Sequence, residues 1–145
     1  MNRLTDQTLD IESLITQTDD PECGALVVFG GAVRLDDGVK TIDYTAYAPL
    51  AEKALAEIEQ ETLQRFDIRH CRLVHRTGML KLGELSVVVV VRGGHRGPTF
   101  EAARWAIDTL KQRVPVWKEE HYNDGRSTFV EGQPVQTAIQ EKTQN

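Results

Sequence analysis

The chain has 145 residues and a net charge of −5, with 40% hydrophobic and 27% charged residues, which is typical of one soluble globular domain. Residues 1–22 hold six acidic residues and one basic residue, so the remaining 16 basic and 16 acidic residues balance. This balance argues against a nucleic-acid-binding protein, which would carry a basic excess. No apolar run approaches the ~18 residues of a membrane span, and the N-terminus lacks the pattern of a secretion signal, so we expect a cytoplasmic protein.

The first half of the chain predicts two strands and a helix. Residues 24–34 combine small and β-branched residues, and residues 39–47 alternate polar and apolar side chains. Because the turn sequence Leu-Asp-Asp-Gly at 35–38 joins them, we expect the two strands to form a hairpin. From Pro49 to Arg65 the apolar residues follow helical spacing, and proline suits the first turn of a helix.

The second half predicts a buried strand, a second helix and a second hairpin. Residues 85–92 form a continuous apolar run, as expected of a central strand that is covered on both faces. The second helix is expected from about Pro98 to Arg113, where Val114-Pro115 stops it. Further strands are expected at 69–76, 116–122 and 126–132, the last two joined by Asn123-Asp124-Gly125.

These elements predict a single α+β domain with a mixed, mostly antiparallel sheet and two main helices. We expect the domain to span residues 23–132, with an acidic N-terminal segment at 1–22 and a polar C-terminal tail at 133–145. No internal repeat or low-complexity linker divides the chain.

The sequence Gly93-Gly94-His95-Arg96 joins the apolar run to the second helix. A glycine-rich turn at a helix start exposes unpaired backbone N–H groups, and the helix dipole favours an anion there. His95 and Arg96 add charge-assisted donors beside that end, which would suit a phosphate or a carboxylate. A surface loop with two solvated side chains explains the same residues equally well.

Two lysines lie close to the end of the second helix. Lys111 falls in its last turn, where a cation complements the helix C-terminus. Lys118 follows in a strand-like stretch beside Trp117, where the simpler interpretation is the solvated face of a hairpin. Charge alone therefore does not establish a functional pair.

Residues that commonly bind metals or attack substrates give no comparable pattern. The four histidines, His70, His75, His95 and His121, lack metal-ligand spacing, and we expect His75 to shape a turn or an interface. The two cysteines form neither a metal cluster nor a disulfide framework, and Cys71 alternates with apolar residues as a packed thiol does. We therefore predict no metal site and no bound cofactor.

Six short elements follow one another in a fixed order along the chain. They are Gly31-Ala32-Val33-Arg34, YTAYAPLAEKALAEI at 44–58, HRTGMLKLGE at 75–84, His95-Arg96 followed by Phe-Glu-Ala at 100–102, Leu110-Lys111, and Pro-Val-Trp-Lys-Glu-Glu at 115–120. Together they resemble the catalytic (large) subunit family of molybdopterin synthase. The similarity runs from Gly24 to Glu131, and its specificity lies in the order and spacing of the elements.

The resemblance implies an α/β hammerhead fold and a sulfurtransferase of molybdenum cofactor biosynthesis. Members of the family convert cyclic pyranopterin monophosphate to molybdopterin by inserting two sulfurs as a dithiolene. The sulfur arrives as a thiocarboxylate on the C-terminal Gly-Gly tail of a small ubiquitin-like subunit. Two large subunits form a homodimer with one small subunit at each end, which gives a heterotetramer.

The resemblance also implies roles for five residues. By matching motif, Lys111 and Lys118 correspond to the family's two active-site lysines, and Arg34, His95 and Arg96 correspond to its anion-binding residues. Both implied substrates are anions, in agreement with the anion site expected at the helix start. Because the sulfur comes from the partner, neither cysteine need be catalytic.

The chain departs from the family's pattern at several positions. Pro98-Thr99 precede Phe100 where a small residue is usual, Phe129 stands where tryptophan is frequent, and Gly132-Gln133 stand where a basic residue commonly follows. Gly93-Gly94 is also a looser approach to His95 than usual. These differences concern the detail of the pocket.

Two other functions fit parts of the sequence. A non-catalytic paralogue would bind a ubiquitin-like Gly-Gly tail without performing chemistry, and retention of both Lys111 and Lys118 argues against it. An unrelated phosphate-binding enzyme would use the strand-to-helix turn, and it would leave the Gly31–Arg34 and Trp117-Lys118 elements unexplained.

Overall fold

A computed structural model of the chain describes residues 2–34 and 38–130. The elements of these residues are, in chain order, β1 Leu4–Thr5, α1 Ile11–Gln17, β2 Ala25–Ala32, β3 Val39–Ala46, α2 Ala48–Arg65, β4 His70–Arg76, β5 Gly78–Lys81, β6 Leu85–Gly93, α3 Arg96–Arg113, β7 Val116–Tyr122 and β8 Ser127–Val130. The polar tail, the Gly132-Gln133 departure and residues 35–37 of the predicted turn lie outside the described residues. No helix in the described ranges has both the length and the apolar character that crossing a bilayer requires.

The valine-rich strand β6 is the centre of a four-stranded sheet, here called sheet A, with the order β1-β4-β6-β2. It pairs antiparallel with β2 on one side and with β4 on the other, while the short β1 runs parallel to β4. Val88, Val89, Val90 and Val91 are fully buried. The prediction of a central strand covered on both faces is therefore confirmed.

Different helices cover the two faces of sheet A. Because side chains alternate along a strand, neighbouring valines of β6 point to opposite faces. Val89 packs in the main core with Leu55 of α2 and Ala106 of α3. Val90 packs in a second cluster with Leu14 of α1, whose burial contributes about 1.5–3 kcal/mol. The acidic N-terminal segment thus supplies the cover of one face.

A second sheet, here called sheet B, has the order β5-β3-β7-β8 and contributes to the same main core. Its strand β3 pairs antiparallel with β5 and β7, and Ile42 and Tyr44 of β3 are buried. β7 and β8 form the predicted second hairpin, with Gly125 in the turn at a φ of +90°. The α+β class with mixed, mostly antiparallel pairing is therefore confirmed, although the strands divide into two sheets.

The predicted hairpin between residues 24–34 and 39–47 is wrong, because β2 and β3 lie in different sheets. β2 pairs along its length with β6 instead. Gly31 permits this close pairing, since a Cβ added there would lie 2.8 Å from Cγ1 of Val87. A turn sequence reports only local conformation, whereas the partner of β2 is a strand far along the chain.

The two long helices match their predictions with small shifts. α2 begins one residue before Pro49, and α3 begins at Arg96, two residues before Pro98. Pro98 lies in the first turn of α3, where its missing N–H removes no helical hydrogen bond. The short elements β1, α1 and β5 were not predicted, because two to seven residues show too little periodicity for assignment.

Candidate active site

The two candidate lysines lie on either side of the junction between α3 and β7. Lys111 is exposed in the last turn of α3, which ends at Arg113 and is followed by the buried Val114. The backbone N–H of Val116 donates to the carbonyl of Val114 at 2.9 Å, so the chain turns directly from helix into strand. Lys118 follows as the third residue of β7 and is half-buried.

Lys118 points to the inner side of sheet B. It is the cross-strand partner of Tyr44, and it shares a strand face with Val116, two residues before it. Tyr44 and Val116 are 9% and 4% exposed. The ammonium group is therefore carried at the edge of the core, where charge interactions are stronger than in open solvent.

His75 lies beside this lysine and was not predicted as a site residue. Its ring meets the ring of Tyr44 edge-on, with 5.4 Å between the centroids. Burial, together with the positive charge of Lys118, lowers the pKa of His75 from 6.5 to about 4. Nδ1 of this neutral imidazole lies 2.8 Å from the carbonyl oxygen of Arg76, so Nδ1 carries the proton and Nε2 is left as an acceptor.

The sequence held one signal for His75, its place in the HRTGMLKLGE element of the family resemblance. Spacing alone favoured a turn or an interface. The structure places His75 inside β4, buried against sheet B, because the pairing of β3 with β7 brings Tyr44 and Lys118 over it. Only this packing reveals that a buried imidazole adjoins the lysine.

Arg34 lies at the same end of the molecule as the lysines. It follows β2, whose last residue pairs with Leu85 at the start of β6. Val33 is held there by two backbone hydrogen bonds, donating to Glu84 at 2.9 Å and accepting from Gly83 at 2.7 Å. The side chain of Arg34 is exposed beyond this anchored backbone.

His95 and Arg96 lie at the start of α3, as predicted. His95 is the N-cap residue and Arg96 is the first helical residue, and both side chains are exposed. Gly93 is required by close packing, because a Cβ there would overlap Oγ1 of Thr99, whereas a Cβ at Gly94 would meet open space. The hydroxyl of Thr99 donates to the carbonyl of His95 at 2.6 Å and stabilises the first turn of α3. The helix start therefore offers backbone donors and two basic side chains to an anion.

The five candidate residues fall into two groups. Arg34, Lys111 and Lys118 lie toward the end of sheet A where β6 begins, and His95 and Arg96 lie where β6 finishes. Arg96 and Lys111 are separated by about 22 Å along the axis of α3, at 1.5 Å per residue. A single chain therefore does not bring all five residues to one pocket.

Neither cysteine lies among these groups as a reactive thiolate. Cys71 is buried, as predicted, and burial raises its pKa to about 12. Burial and the nearby carboxylate of Asp20 also raise the pKa of Cys23. Both side chains therefore remain thiols at neutral pH, which makes them poor nucleophiles.

Comparison with known proteins gives matches along most of the chain. The family described as MoaE protein matches residues 4–113. The molybdopterin synthase catalytic subunits of Halalkalibacterium halodurans and Thermoplasma volcanium are 39% and 37% identical, covering 84% and 87% of this chain and 80% and 94% of those proteins. The crystal structure of molybdopterin synthase from Staphylococcus aureus matches with a TM-score of 0.84 and 33% identity, covering 89% of this chain and 96% of that one. The family match contains Arg34, His95, Arg96 and Lys111 and ends before Lys118.

Proposed function

Since the chain belongs to the MoaE protein family, we propose that it is the catalytic subunit of a molybdopterin synthase. It converts cyclic pyranopterin monophosphate to molybdopterin, as a sulfurtransferase of molybdenum cofactor biosynthesis. The sulfur is supplied by the C-terminal thiocarboxylate of a small ubiquitin-like subunit. Family membership is the observation that carries this proposal, and the site geometry supports the residue roles that follow.

Lys111 and Lys118 act on the sulfur-transfer step. Both the thiocarboxylate and the pterin phosphate are anions, so two ammonium groups near the α3–β7 junction attract the substrates that must meet there. Three roles fit a lysine in such a site: proton transfer, stabilisation of the oxyanion formed at the attacked thiocarboxylate carbon, and a transient covalent adduct. Lys118 is half-buried beside His75, where charge interactions are stronger than in open solvent. Of the two lysines, it is therefore favoured for the role that depends most on charge.

His95 and Arg96 bind the phosphate of the pterin. A guanidinium can contact two phosphate oxygens at once, and the backbone N–H groups at the start of α3 add further donors. Arg34 is exposed at the end of sheet A that lies away from His95 and Arg96, and it adds positive charge near the lysines.

The separation of the two groups supports a site shared between two copies of the chain. With about 22 Å between Arg96 and Lys111 along one helix, a small pterin cannot reach both in one chain. A symmetric dimer would solve this problem if its two-fold axis brought the α3 start of each copy to the lysines of the other. Two such shared sites, each served by one small subunit, make a heterotetramer.

Subunit complementation tests this arrangement. Lys118→Ala and Arg96→Ala are each expected to abolish or severely reduce single-turnover product formation from thiocarboxylated small subunit. In a mixed dimer of the two variants, one shared site has both substitutions and the other has none, so about half of the wild-type activity should return. If each site were built within one chain, the mixed dimer would be as inactive as its parents.

The same assay decides between this function and a non-catalytic paralogue. A paralogue that only binds the Gly-Gly tail would bind the thiocarboxylated subunit but form no molybdopterin in a single turnover. Wild-type product formation that depends on Lys118 therefore supports the enzyme, and tail binding without product would refute it.

A further inference from the structure

We propose that sheet B carries a site for a divalent metal ion, formed by Asp43 of β3 and by Glu119 and His121 of β7. One ligand atom from each of these side chains lies within 4.8 Å of the other two. One nitrogen and two carboxylate oxygens are ligands that zinc accepts, at about 2.0–2.2 Å from the ion. The ligand set suits a borderline metal such as Zn²⁺ or Co²⁺.

The pairing of β3 with β7 brings the three side chains together. Asp43 is the direct cross-strand partner of Glu119, and His121 is two residues farther along β7 on the same strand face. Both strands are inner strands of the sheet, flanked by β5 and β8. A site built on paired strands is held more precisely than one built on loops.

The charges of this cluster favour a cation. Two carboxylates directly opposite each other on neighbouring strands repel. Nε2 of His121 lies 3.7 Å from Oε1 of Glu119, which is too long for a hydrogen bond. A divalent ion bound by all three groups would replace this repulsion with attraction to both carboxylates.

His121 provides a second, independent observation. Its Nε2 atom is closed off from solvent and has no hydrogen-bond partner among the described residues. Such an orphaned buried polar atom carries a desolvation cost that a metal ion would offset. The His121 side chain as a whole is 33% exposed, so this covered atom lies close to the protein surface.

Another group, Asp20, Cys23 and His70, also brings ligand atoms together but is less suited to an ion. Oδ2 of Asp20 lies 2.8 Å from Nε2 of His70 and accepts a hydrogen bond from Arg69 at 2.9 Å. The guanidinium already neutralises this carboxylate and would repel a cation. We therefore assign the site to sheet B and use the Asp20 group as a control.

Calorimetric titration of the full chain with Zn²⁺, after removal of metal by a chelator, tests the proposal. The wild-type chain should bind one equivalent. Asp43→Asn, Glu119→Gln and His121→Gln should each weaken binding by at least about tenfold, because losing even an outer-shell partner of a metal ligand typically costs about 10- to 100-fold. Glu120→Gln is the matched control, because this neighbouring carboxylate points to the opposite face of β7 and its loss should leave binding unchanged. Circular dichroism checks that each variant is folded.

Cobalt distinguishes the two groups of ligands directly. Co²⁺ at the proposed site should give ligand-field absorption without a thiolate charge-transfer band, since the site contains no cysteine. Absence of saturable Zn²⁺ binding would overturn the proposal, as would binding that persists in all three sheet B variants. A thiolate band that disappears in Cys23→Ser would likewise overturn it, by placing the ion at the Asp20 group. None of these readouts depends on the sulfurtransferase activity.

Discussion

The buried imidazole of His75 predicts a loss of stability in mild acid. His75 is 6% exposed, and burial, aided by the ammonium of Lys118, lowers its pKa from 6.5 to about 4. As the pH falls below 6.5 the unfolded chain binds a proton at this residue, whereas the folded chain does so only near pH 4. The contribution of neutral His75 to stability is therefore complete above pH 6.5 and is lost progressively as the pH falls toward 4.

The size of the effect follows from the difference between the two pKa values. At about 1.36 kcal/mol per pKa unit, the whole difference corresponds to about 3 kcal/mol. Between pH 7 and pH 5 the free energy of unfolding should fall by about 2 kcal/mol through this group alone. That loss is a measurable share of the ~5–15 kcal/mol typical of a domain.

Urea denaturation at the two pH values measures this loss. His75→Gln removes the titrating group while keeping an amide donor for the carbonyl of Arg76. Between pH 7 and pH 5 the free energy of unfolding of this variant should therefore fall by about 2 kcal/mol less than that of the wild type. His95→Gln, at an exposed position, should keep the wild-type decrease. Lys118→Met should reduce the decrease in part, because the ammonium contributes to the lowered pKa. Equal decreases in the wild type and in His75→Gln would refute the reasoning.

Three further predictions concern the site and the helix start. Lys118→Ala should leave the circular dichroism spectrum intact while severely reducing single-turnover product formation, and near wild-type turnover would contradict its catalytic role. Arg96→Ala should weaken the affinity for the pterin precursor, measured by calorimetry, about ten- to hundredfold, and Arg96→Lys should restore only part of that affinity. Equal weakening of small-subunit binding would instead assign Arg96 to binding of the partner's tail. Gly93→Ala should lower the free energy of unfolding by about 1–3 kcal/mol, because the added Cβ overlaps Thr99. Gly94→Ala is the control, since its Cβ meets open space and should change the free energy of unfolding little. Similar losses in the two variants would contradict the packing argument.

Local sequence patterns determined much of the fold. The valine run of β6, the helical spacing of α2 and α3 and the Asn-Asp-Gly turn before β8 each depend on residues close together in the chain, and each was predicted. The same holds for the start of α3, where glycines followed by His95 and Arg96 indicate a helix N-terminus with basic side chains. Such features follow from backbone conformation and amphipathicity, which a short window contains.

The pairing of strands that are distant in sequence was decided only in the tertiary structure. The sequence of residues 35–38 indicates a turn, yet β2 joins β6 and β3 joins β7, and both partners lie far along the chain. The same register buries His75 against Tyr44 and aligns Asp43 with Glu119, so neither arrangement is visible in sequence spacing.

The placement of the candidate active-site residues divides in the same way. The sequence resemblance identified Lys111, Lys118, Arg34, His95 and Arg96 as a set, because motif order is a property of the chain. Their separation into two groups about 22 Å apart is set by the rigid rise of α3 along its axis. Distances between residues that are far apart in sequence depend on how whole elements pack, and that information is spread over the entire core.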